Sequence, residues 1–393
     1  MASIARKFIP NFLCLLLFLG LSSSQQRNTL VQRQELKDGD ELVSADGKFR
    51  LGFFNLTSNN SYLGIWYDGD SLTNVVWVAN PNAPLFGNYV SLSIDDYGSL
   101  KISYSKMGPP IPLNPGQGAS NCSAVLLDTG NFVLHELNSD GTVKRELWQS
   151  FDHPTDTLLP GMKLGFNKKS GQTWSLKSWR SDVVPDTGAF TFGMNEDSIP
   201  GNEFNIMQHE DEYWTGGFSQ DEGYQHKPIN GFTLQDQRGS SYAFSKISNE
   251  NETYFNYSAN KDIKTFPRLR IDYLGKLYLG ERLLVQCSFP SLASDDQGCV
   301  KKKLPGCRRN DITFAERSGY FVDTDGYEFH ADDNLTHVDC EDKCLTICSC
   351  VAFEPTKEDG TGCKVWTTMP KFETALNAPK VYFLEYKGKT NSC

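Results

Sequence analysis

The cysteines are distributed unevenly along this 393-residue chain, and that distribution limits the possible folds more than any other feature. Nine of the eleven cysteines lie in residues 287–393, whereas residues 25–286 contain Cys122 alone. The long N-terminal part must therefore be stabilised by an apolar core. The C-terminal stretch of roughly 100 residues is small enough to need disulfides.

The first 24 residues have the pattern of a secretory signal peptide. Arg6 and Lys7 form a basic start, residues 8–21 are mostly apolar, and a run of three serines follows. A transmembrane anchor is the alternative, but about 14 apolar residues are too few to span a bilayer. We therefore expect cleavage near Gln25 and a secreted, extracellular or cell-surface chain with no membrane span. Export also favours oxidised cysteines.

Six N-x-Ser/Thr sequons support a secreted glycoprotein, because such sequons are glycosylated on surface loops of exported proteins. They are Asn55, Asn59, Asn121, Asn251, Asn256 and Asn334. Cys122 lies inside one of them, which predicts an exposed thiol that could pair between chains.

Short alternating segments and Gly-containing turns predict a mainly β fold. Residues 75–80 have the composition of a buried strand, and apolar positions alternate on both sides of turns at Gly98 and Gly130. Repeated hairpins of this kind are typical of a β-prism or barrel, and two hairpins of an unrelated sandwich are the alternative. Residues 180–285 show the same pattern, with turns expected at 186–188, 200–202 and 272–275, and predict a second, related β domain.

The cysteine-rich region predicts one helix on a small sheet. Thr336 and Asp339 have the spacing of a capping box, so a helix should begin there. Cys340, Cys344 and Cys348 would then lie on one helix face. Short strands are expected near residues 351–353, 363–366 and 381–384.

The sequence offers little for catalysis or for a cofactor. No lipase elbow, HExxH zinc motif, P-loop or kinase motif occurs. His337 with the neighbouring cysteines could be interpreted as a zinc cluster, but the spacing is unusual and export favours disulfides. We expect structural roles for His153 and His209, and turn roles for the acidic pairs 95–96 and 332–333.

The overall charge and one basic run bear on partners. A net charge of −10 argues against nucleic-acid binding. The basic residues at 301–303 and 308–309 could bind an acidic polysaccharide or an acidic partner surface, and a solvated loop is the alternative.

Several segments resemble one plant family. The segments VVWVANPNAPL (75–85), LLDTGNFVL (126–134) and LWQSFDHPTDTLLPGMKLG (147–165) resemble the bulb-type lectin domain of S-locus glycoproteins and S-domain receptor-like kinases. The segment SWRSDVVPDTGAF (178–190) resembles the start of their S-locus glycoprotein domain. The segments VDCEDKCLTICSCVAF (338–353) and GCKVW (362–366) resemble their PAN/apple module.

The resemblance implies a domain order and a set of disulfides. We expect a signal peptide at 1–24, two tandem β-prism domains at 28–165 and 166–286, a degenerate EGF-like linker at 287–309 and a disulfide-stapled α+β PAN/apple module at 310–390. The implied disulfides are Cys340–Cys363, Cys344–Cys350 and Cys307–Cys348, and Cys287 and Cys299 are also expected in disulfides. Cys122 and Cys393 have no obvious partner in the family pattern.

The resemblance also locates a sugar-binding motif in which several residues are replaced. The family's mannose-binding lectins use Q-x-D-x-N-x-V-x-Y, in which Gln, Asp and Asn bind sugar hydroxyls and Val packs on the ring. At 127–135 only Asn131 and Val133 remain, while Leu127, Thr129 and His135 replace the other three. At 95–103 the corresponding residues are Asp95, Tyr97, Ser99, Lys101 and Ser103. Asn131 and Val133 are therefore weak carbohydrate candidates.

Together these features predict a secreted or cell-surface plant glycoprotein that acts by binding and not as an enzyme. The expected partner is an extracellular protein ligand or a related receptor-like kinase ectodomain, with a glycan as a further possibility, and homo- or hetero-dimers stay open. The chain would act as a receptor-like ectodomain or as a soluble decoy or co-receptor. A mannose-binding lectin is the main alternative, followed by a structural wall glycoprotein and a secreted hydrolase. No cofactor or metal is expected.

Overall fold

The structure is a computed structural model that is mainly β. It describes residues 27–57, 60–69, 75–87, 89–104, 108–114, 118–195, 203–217, 242–260, 266–287, 298–322, 325–376 and 378–386. Within these ranges, no helix has the length and apolar character needed to cross a membrane.

The first group of strands forms three four-stranded sheets. Their orders are β1-β10-β11-β12, β2-β7-β8-β9 and β3-β4-β5-β6. The strands are β1 Thr29–Val31, β2 Glu35–Lys37, β3 Glu41–Val43, β4 Phe49–Thr57, β5 Asn60–Tyr67, β6 Val75–Val78, β7 Ser91–Ile94, β8 Leu100–Ser103, β9 Ile111–Pro112, β10 Cys122–Leu126, β11 Phe132–Leu137 and β12 Val143–Gln149.

The predicted hairpins around Gly98 and Gly130 are confirmed. Both glycines have a positive φ, at 76° and 83°, which an L side chain adopts only with strain. At the first turn the Asp95 carboxylate accepts the backbone N–H groups of Tyr97 and Ser99. The aspartate therefore fixes the loop while the glycine supplies the backbone conformation.

The second group also forms three four-stranded sheets. Their orders are β13-β22-β23-β24, β15-β14-β21-β20 and β16-β17-β18-β19. The strands are β13 Thr157–Leu158, β14 Leu164–Asn167, β15 Thr173–Trp174, β16 Leu176–Ser181, β17 Val184–Met194, β18 Phe204–Gln208, β19 Asp211–Gly216, β20 Tyr242–Ser248, β21 Glu252–Ala259, β22 Leu269–Ile271, β23 Leu277–Leu279 and β24 Arg282–Val285.

The first strand that pairs within the second group is β13, which lies before the expected boundary at residue 165. The strand β13 pairs with β22, and β14 pairs with β21. The pairing therefore changes from the first group to the second between Gln149 and Thr157. One continuous apolar core also runs through both groups, so their division into two separate domains stays a prediction.

One predicted turn in the second group is wrong. Asp186, Thr187 and Gly188 lie inside strand β17. Gly188 is needed for close packing, because a Cβ atom there would lie 2.0 Å from the carbonyl oxygen of Trp179 on the neighbouring strand. The turn expected at 272–275 is confirmed, with Gly275 at φ 75°. The turn expected at 200–202 lies outside the described residues.

A smaller unit, here called the cystine module (residues 307–386), follows. Its helix α1 His337–Thr346 packs against a six-stranded sheet of order β26-β28-β27-β30-β25-β29. The strands are β25 Ile312–Phe321, β26 Tyr327–Glu328, β27 Ala352–Glu354, β28 Lys364–Trp366, β29 Phe372–Thr374 and β30 Lys380–Tyr386. Two 3-10 turns, Ser150–Asp152 and Ala331–Asp333, complete the elements.

The predicted capping box at the start of helix α1 is present. The Thr336 hydroxyl accepts the backbone N–H of Asp339, and the Asp339 carboxylate accepts the backbone N–H of Thr336. Cys340 and Cys344 lie on the helix as expected, but Cys348 does not. The helix ends at Thr346, because Ile347 adopts an extended conformation with ψ 98°.

Four disulfides connect these elements. They are Cys287–Cys299, Cys307–Cys348, Cys340–Cys363 and Cys344–Cys350. Three are the pairs that the family resemblance implies. The first one anchors a segment on strand β19, where Thr215 donates its backbone N–H to the Gly298 carbonyl at 2.9 Å. Cys393 lies outside the described residues.

The buried guanidinium of Arg308 closes the C-terminal end of helix α1. It is 9% exposed and donates to the backbone carbonyls of Cys344, Leu345 and Cys350 at 2.8 to 3.1 Å, and also to that of Ile347. The last carbonyls of a helix have no partner within the helix, so this side chain satisfies them. Arg308 is therefore not part of a solvated basic surface, contrary to both interpretations of residues 301–309.

We predict that Arg308→Met destabilises the cystine module by about 3 kcal/mol, because it leaves buried carbonyls without donors. The matched control is Arg309→Met, since Arg309 is exposed and pairs with Asp311. That change should cost at most about 0.5 kcal/mol. Hydrogen-exchange mass spectrometry of peptides from residues 307–386, in increasing urea, measures both in the otherwise wild-type chain. Equal stability of the two variants would contradict the capping role.

Candidate functional site

The two remaining sugar-motif residues, Asn131 and Val133, lie at the start of strand β11 and are buried. Asn131 is 7% exposed and Val133 is 2% exposed. The Asn131 amide nitrogen donates to the Gln149 side chain at 2.7 Å. Its amide oxygen accepts from the Ser150 hydroxyl and the Phe151 backbone N–H. Both ends of this amide are therefore used within the fold.

The substituted positions of the same segment offer a different surface. Leu127 is 38% exposed, Thr129 is exposed and His135 is partly buried. In the hairpin at 95–103, Tyr97 is 75% exposed, and Lys101 pairs with the Asp95 carboxylate at 3.1 Å. Leu127 and Tyr97 thus expose an aliphatic and an aromatic side chain at positions where the family motif has a sugar-binding amide and carboxylate.

A cavity of about 290 Å³, here called the junction cavity, lies where the two sheet groups meet. Its walls come mainly from the segments 75–85 and 147–165 that carry the family resemblance. The lining includes Trp77, Ile111, Leu113, Trp148, His153 and Pro154. The Trp77 indole donates to the His153 carbonyl at 2.8 Å, and the His153 ring stacks on Trp148 at 5.6 Å. Burial lowers the pKa of His153.

A cleft of about 430 Å³, here called the inter-module cleft, lies between the region of strands β16 to β18 and the cystine module, and most of its lining residues are polar or charged. Arg180, Thr187 and His209 contribute to one wall. Residues 333–336 and helix α1 form the other. Two hydrogen bonds join the walls, His209 to Asp339 at 2.6 Å and Gln208 to Asp342 at 2.8 Å.

The suggested zinc cluster does not form. Cys340, Cys344 and Cys348 are in separate disulfides. His337 packs on the Tyr382 ring at 4.5 Å, and burial lowers the pKa of His337 to about 4. Among the described residues no group of three or more His, Cys, Asp or Glu side chains could hold a metal ion.

The sequon asparagines differ in how much of each side chain is free. Asn121, Asn251 and Asn334 are exposed. The Asn121 amide donates to the carbonyls of Leu137 and Asn138 at 3.2 and 3.1 Å. The amide nitrogen of Asn55, in its better-fitting orientation, also faces two carbonyls. Asn256 is partly buried on strand β21, and Asn59 lies outside the described residues.

The expected exposure of Cys122 is wrong. Its side chain is free but only 2% exposed, because strand β10 directs it into the core of the first group. Its Sγ atom lies 2.9 Å from the position that a Cβ atom on Gly98 would take. The Cys122 thiol is therefore not accessible for a disulfide with another chain.

Comparison with known proteins identifies two modules. Residues 74–180 match a family model described as D-mannose binding lectin, and residues 307–369 match a PAN-like domain. A solved structure of a monomeric monocot mannose-binding lectin from Gastrodia elata aligns with 31% of this chain and 96% of that chain, at 20% identity and a TM-score of 0.24.

Curated plant relatives align with nearly the whole of this chain. The G-type lectin S-receptor-like serine/threonine-protein kinase CES101 of Arabidopsis thaliana is 39% identical over 95% of this chain and 47% of its own length. An S-locus-specific glycoprotein of Brassica oleracea is 28% identical over 92% of this chain and 91% of its own length. The chain is thus a homologue of G-type lectin S-receptor-like kinases and S-locus glycoproteins. It spans about half the length of the receptor kinases that it matches.

We predict that Cys122 does not react with iodoacetamide in the folded chain. The thiol is enclosed, and burial raises its pKa, so little of the reactive thiolate forms at neutral pH. Mass spectrometry of peptides should find Cys122 modified only when denaturant is present during alkylation. Rapid modification under native conditions would show that strand β10 is not packed as described.

Proposed function

We propose that this chain is a secreted or cell-surface recognition glycoprotein whose main ligand is an extracellular protein. The ligand is either a soluble protein or the ectodomain of a related receptor-like kinase, so the chain acts as a receptor-like ectodomain, a co-receptor or a soluble decoy. The homologues support a role in recognition, and the lectin module supports binding as its mechanism. No catalytic step is part of this proposal.

The hydrogen bonds of the Asn131 side chain are the observation that favours a protein ligand over mannose. Sugar recognition needs polar groups that are free to exchange water for sugar hydroxyls. In this fold the Asn131 amide already bonds to Gln149, Ser150 and Phe151, while Leu127 and Thr129 replace the other two polar contacts. Each missing hydrogen bond weakens binding by about 1 kcal/mol, so little mannose affinity should remain.

The apolar surfaces support binding to a protein. Leu127 and Tyr97 are exposed. The junction cavity adds aromatic and aliphatic side chains, together with polar ones such as Asn82 and Lys177. Interface cores are typically enriched in aromatic side chains and poor in charged ones. Carbohydrate binding as a mannose-type lectin is the alternative function, and the match to the D-mannose binding lectin model over residues 74–180 is the observation that favours it.

We predict that the wild-type chain passes through a mannose-agarose column without specific retention. A variant with Leu127→Gln, Thr129→Asp and His135→Tyr restores the missing motif residues and serves as a matched control. Adding Gln149→Ala releases the Asn131 amide, so the fourfold variant should bind more tightly than the threefold one. Retention of the wild type that only free mannose reverses would contradict the proposal and favour the lectin alternative.

A further inference from the structure

The inter-module cleft has a glycosylation sequon in its wall. Asn334 lines the cleft together with Thr336, the third residue of its sequon. Asn334 is exposed, and its backbone is in the left-handed region at φ 49°. It lies between the 3-10 turn Ala331–Asp333 and the start of helix α1, so both neighbours fix its position at the edge of the cleft.

The Asn334 side chain is available for a sugar. Within the described residues its amide makes no hydrogen bond, whereas the Asn121 amide donates to two carbonyls. A glycan on Asn334 therefore costs no internal hydrogen bond. Asn251 has a similar exposed and unbonded side chain, but it lies on the turn between strands β20 and β21, away from the cleft lining.

The cleft has the size and the polarity that sugar units need. Its volume of about 430 Å³ falls within the range of small-molecule sites, roughly 300 to 1,000 Å³. Arg180 and Lys343 line it with donors, and Asp333 adds carboxylate acceptors. The Thr346 hydroxyl donates to the Lys343 carbonyl and adds a further acceptor. Sugar hydroxyls both donate and accept hydrogen bonds, so this lining suits a glycan better than an apolar peptide.

We propose that the inter-module cleft is the binding site for the N-linked glycan of Asn334, whose first sugar units contact both the second sheet group and helix α1. The glycan thereby adds polar contacts between the two walls, beside the bonds of His209 and Gln208 to the helix. This inference rests on passage through the secretory pathway, which the proposed function includes, and not on the identity of the ligand. The mannose-column result therefore does not decide it.

The test is the rate at which endoglycosidase H removes each glycan from the folded full chain. Expression in mammalian secretory cells with a mannosidase inhibitor gives every occupied sequon the same high-mannose glycan. Mass spectrometry of glycopeptides follows release at each site. We expect the Asn334 glycan to be released about tenfold more slowly than the Asn251 glycan, because a glycan that is undocked for about one-tenth of the time is cleaved at about one-tenth of the rate. After denaturation the two rates should be equal.

Two variants test whether the cleft causes the protection. Thr346→Trp narrows the cleft from the helix wall, and it should raise the release rate at Asn334 to that at Asn251. Lys37→Trp, at an exposed position on strand β2 of the first sheet group, is the matched control and should leave both rates unchanged. Three results would overturn the proposal. They are equal release rates at Asn334 and Asn251 in the folded wild type, absence of a glycan on Asn334, and continued slow release at Asn334 in a folded Thr346→Trp variant. If the Thr346→Trp variant is not secreted, the ratio of the release rates at Asn334 and Asn251 in the wild type decides whether the proposal holds.

Discussion

The apolar core shared by the two sheet groups is the interaction on which the rest of the structure depends. Residues 29–285 contain one cysteine, and it is unpaired. Burial of apolar side chains must therefore hold the twelve strands of the first sheet group to the twelve strands of the second. Each fully buried large apolar side chain contributes about 1.5–3 kcal/mol. At the junction the Tyr67 ring stacks on Phe266 at 4.6 Å, and its hydroxyl donates to the Pro267 carbonyl at 2.9 Å.

The crossing between the two sheet groups also supplies the hydrogen-bond partners of Asn131. Strand β12 leads directly into the second group, and its last residue, Gln149, is the one that bonds to Asn131. The next two residues, Ser150 and Phe151, complete the set of partners. The crossing segment between the groups therefore occupies the amide that a mannose-binding lectin of the family would offer to a sugar. The cystine module is stabilised differently, by three internal disulfides and the Arg308 cap.

Local features of the fold could be predicted from the sequence, and features that depend on distant contacts could not. The turns at Gly98 and Gly130 and the capping box at Thr336 need only neighbouring residues, and all three are present. The strand through Gly188 depends on Trp179 in another strand. The burial of Cys122 depends on how strand β10 packs, and the sequon that contains Cys122 does not indicate that packing.

The candidate site divides in the same way. The substitutions Leu127 and Thr129 are visible in the sequence, and they predict a weakened sugar site. The hydrogen-bond partners of the Asn131 amide are 18 to 20 positions away along the chain, so no local pattern indicates them. Arg308 looked like part of a basic surface because Lys301, Lys302 and Lys303 lie nearby, whereas the structure buries it against the end of helix α1.

One measurement decides most directly between recognition of a protein and recognition of a sugar. Apoplastic fluid is treated with a crosslinker in the presence of the tagged chain, with and without excess methyl mannoside, and with and without prior removal of N-glycans from the fluid. The account predicts that the same protein partner is captured in all four samples. Capture that is lost with methyl mannoside or after removal of the glycans would contradict it, and would show that the lectin module still reads a sugar.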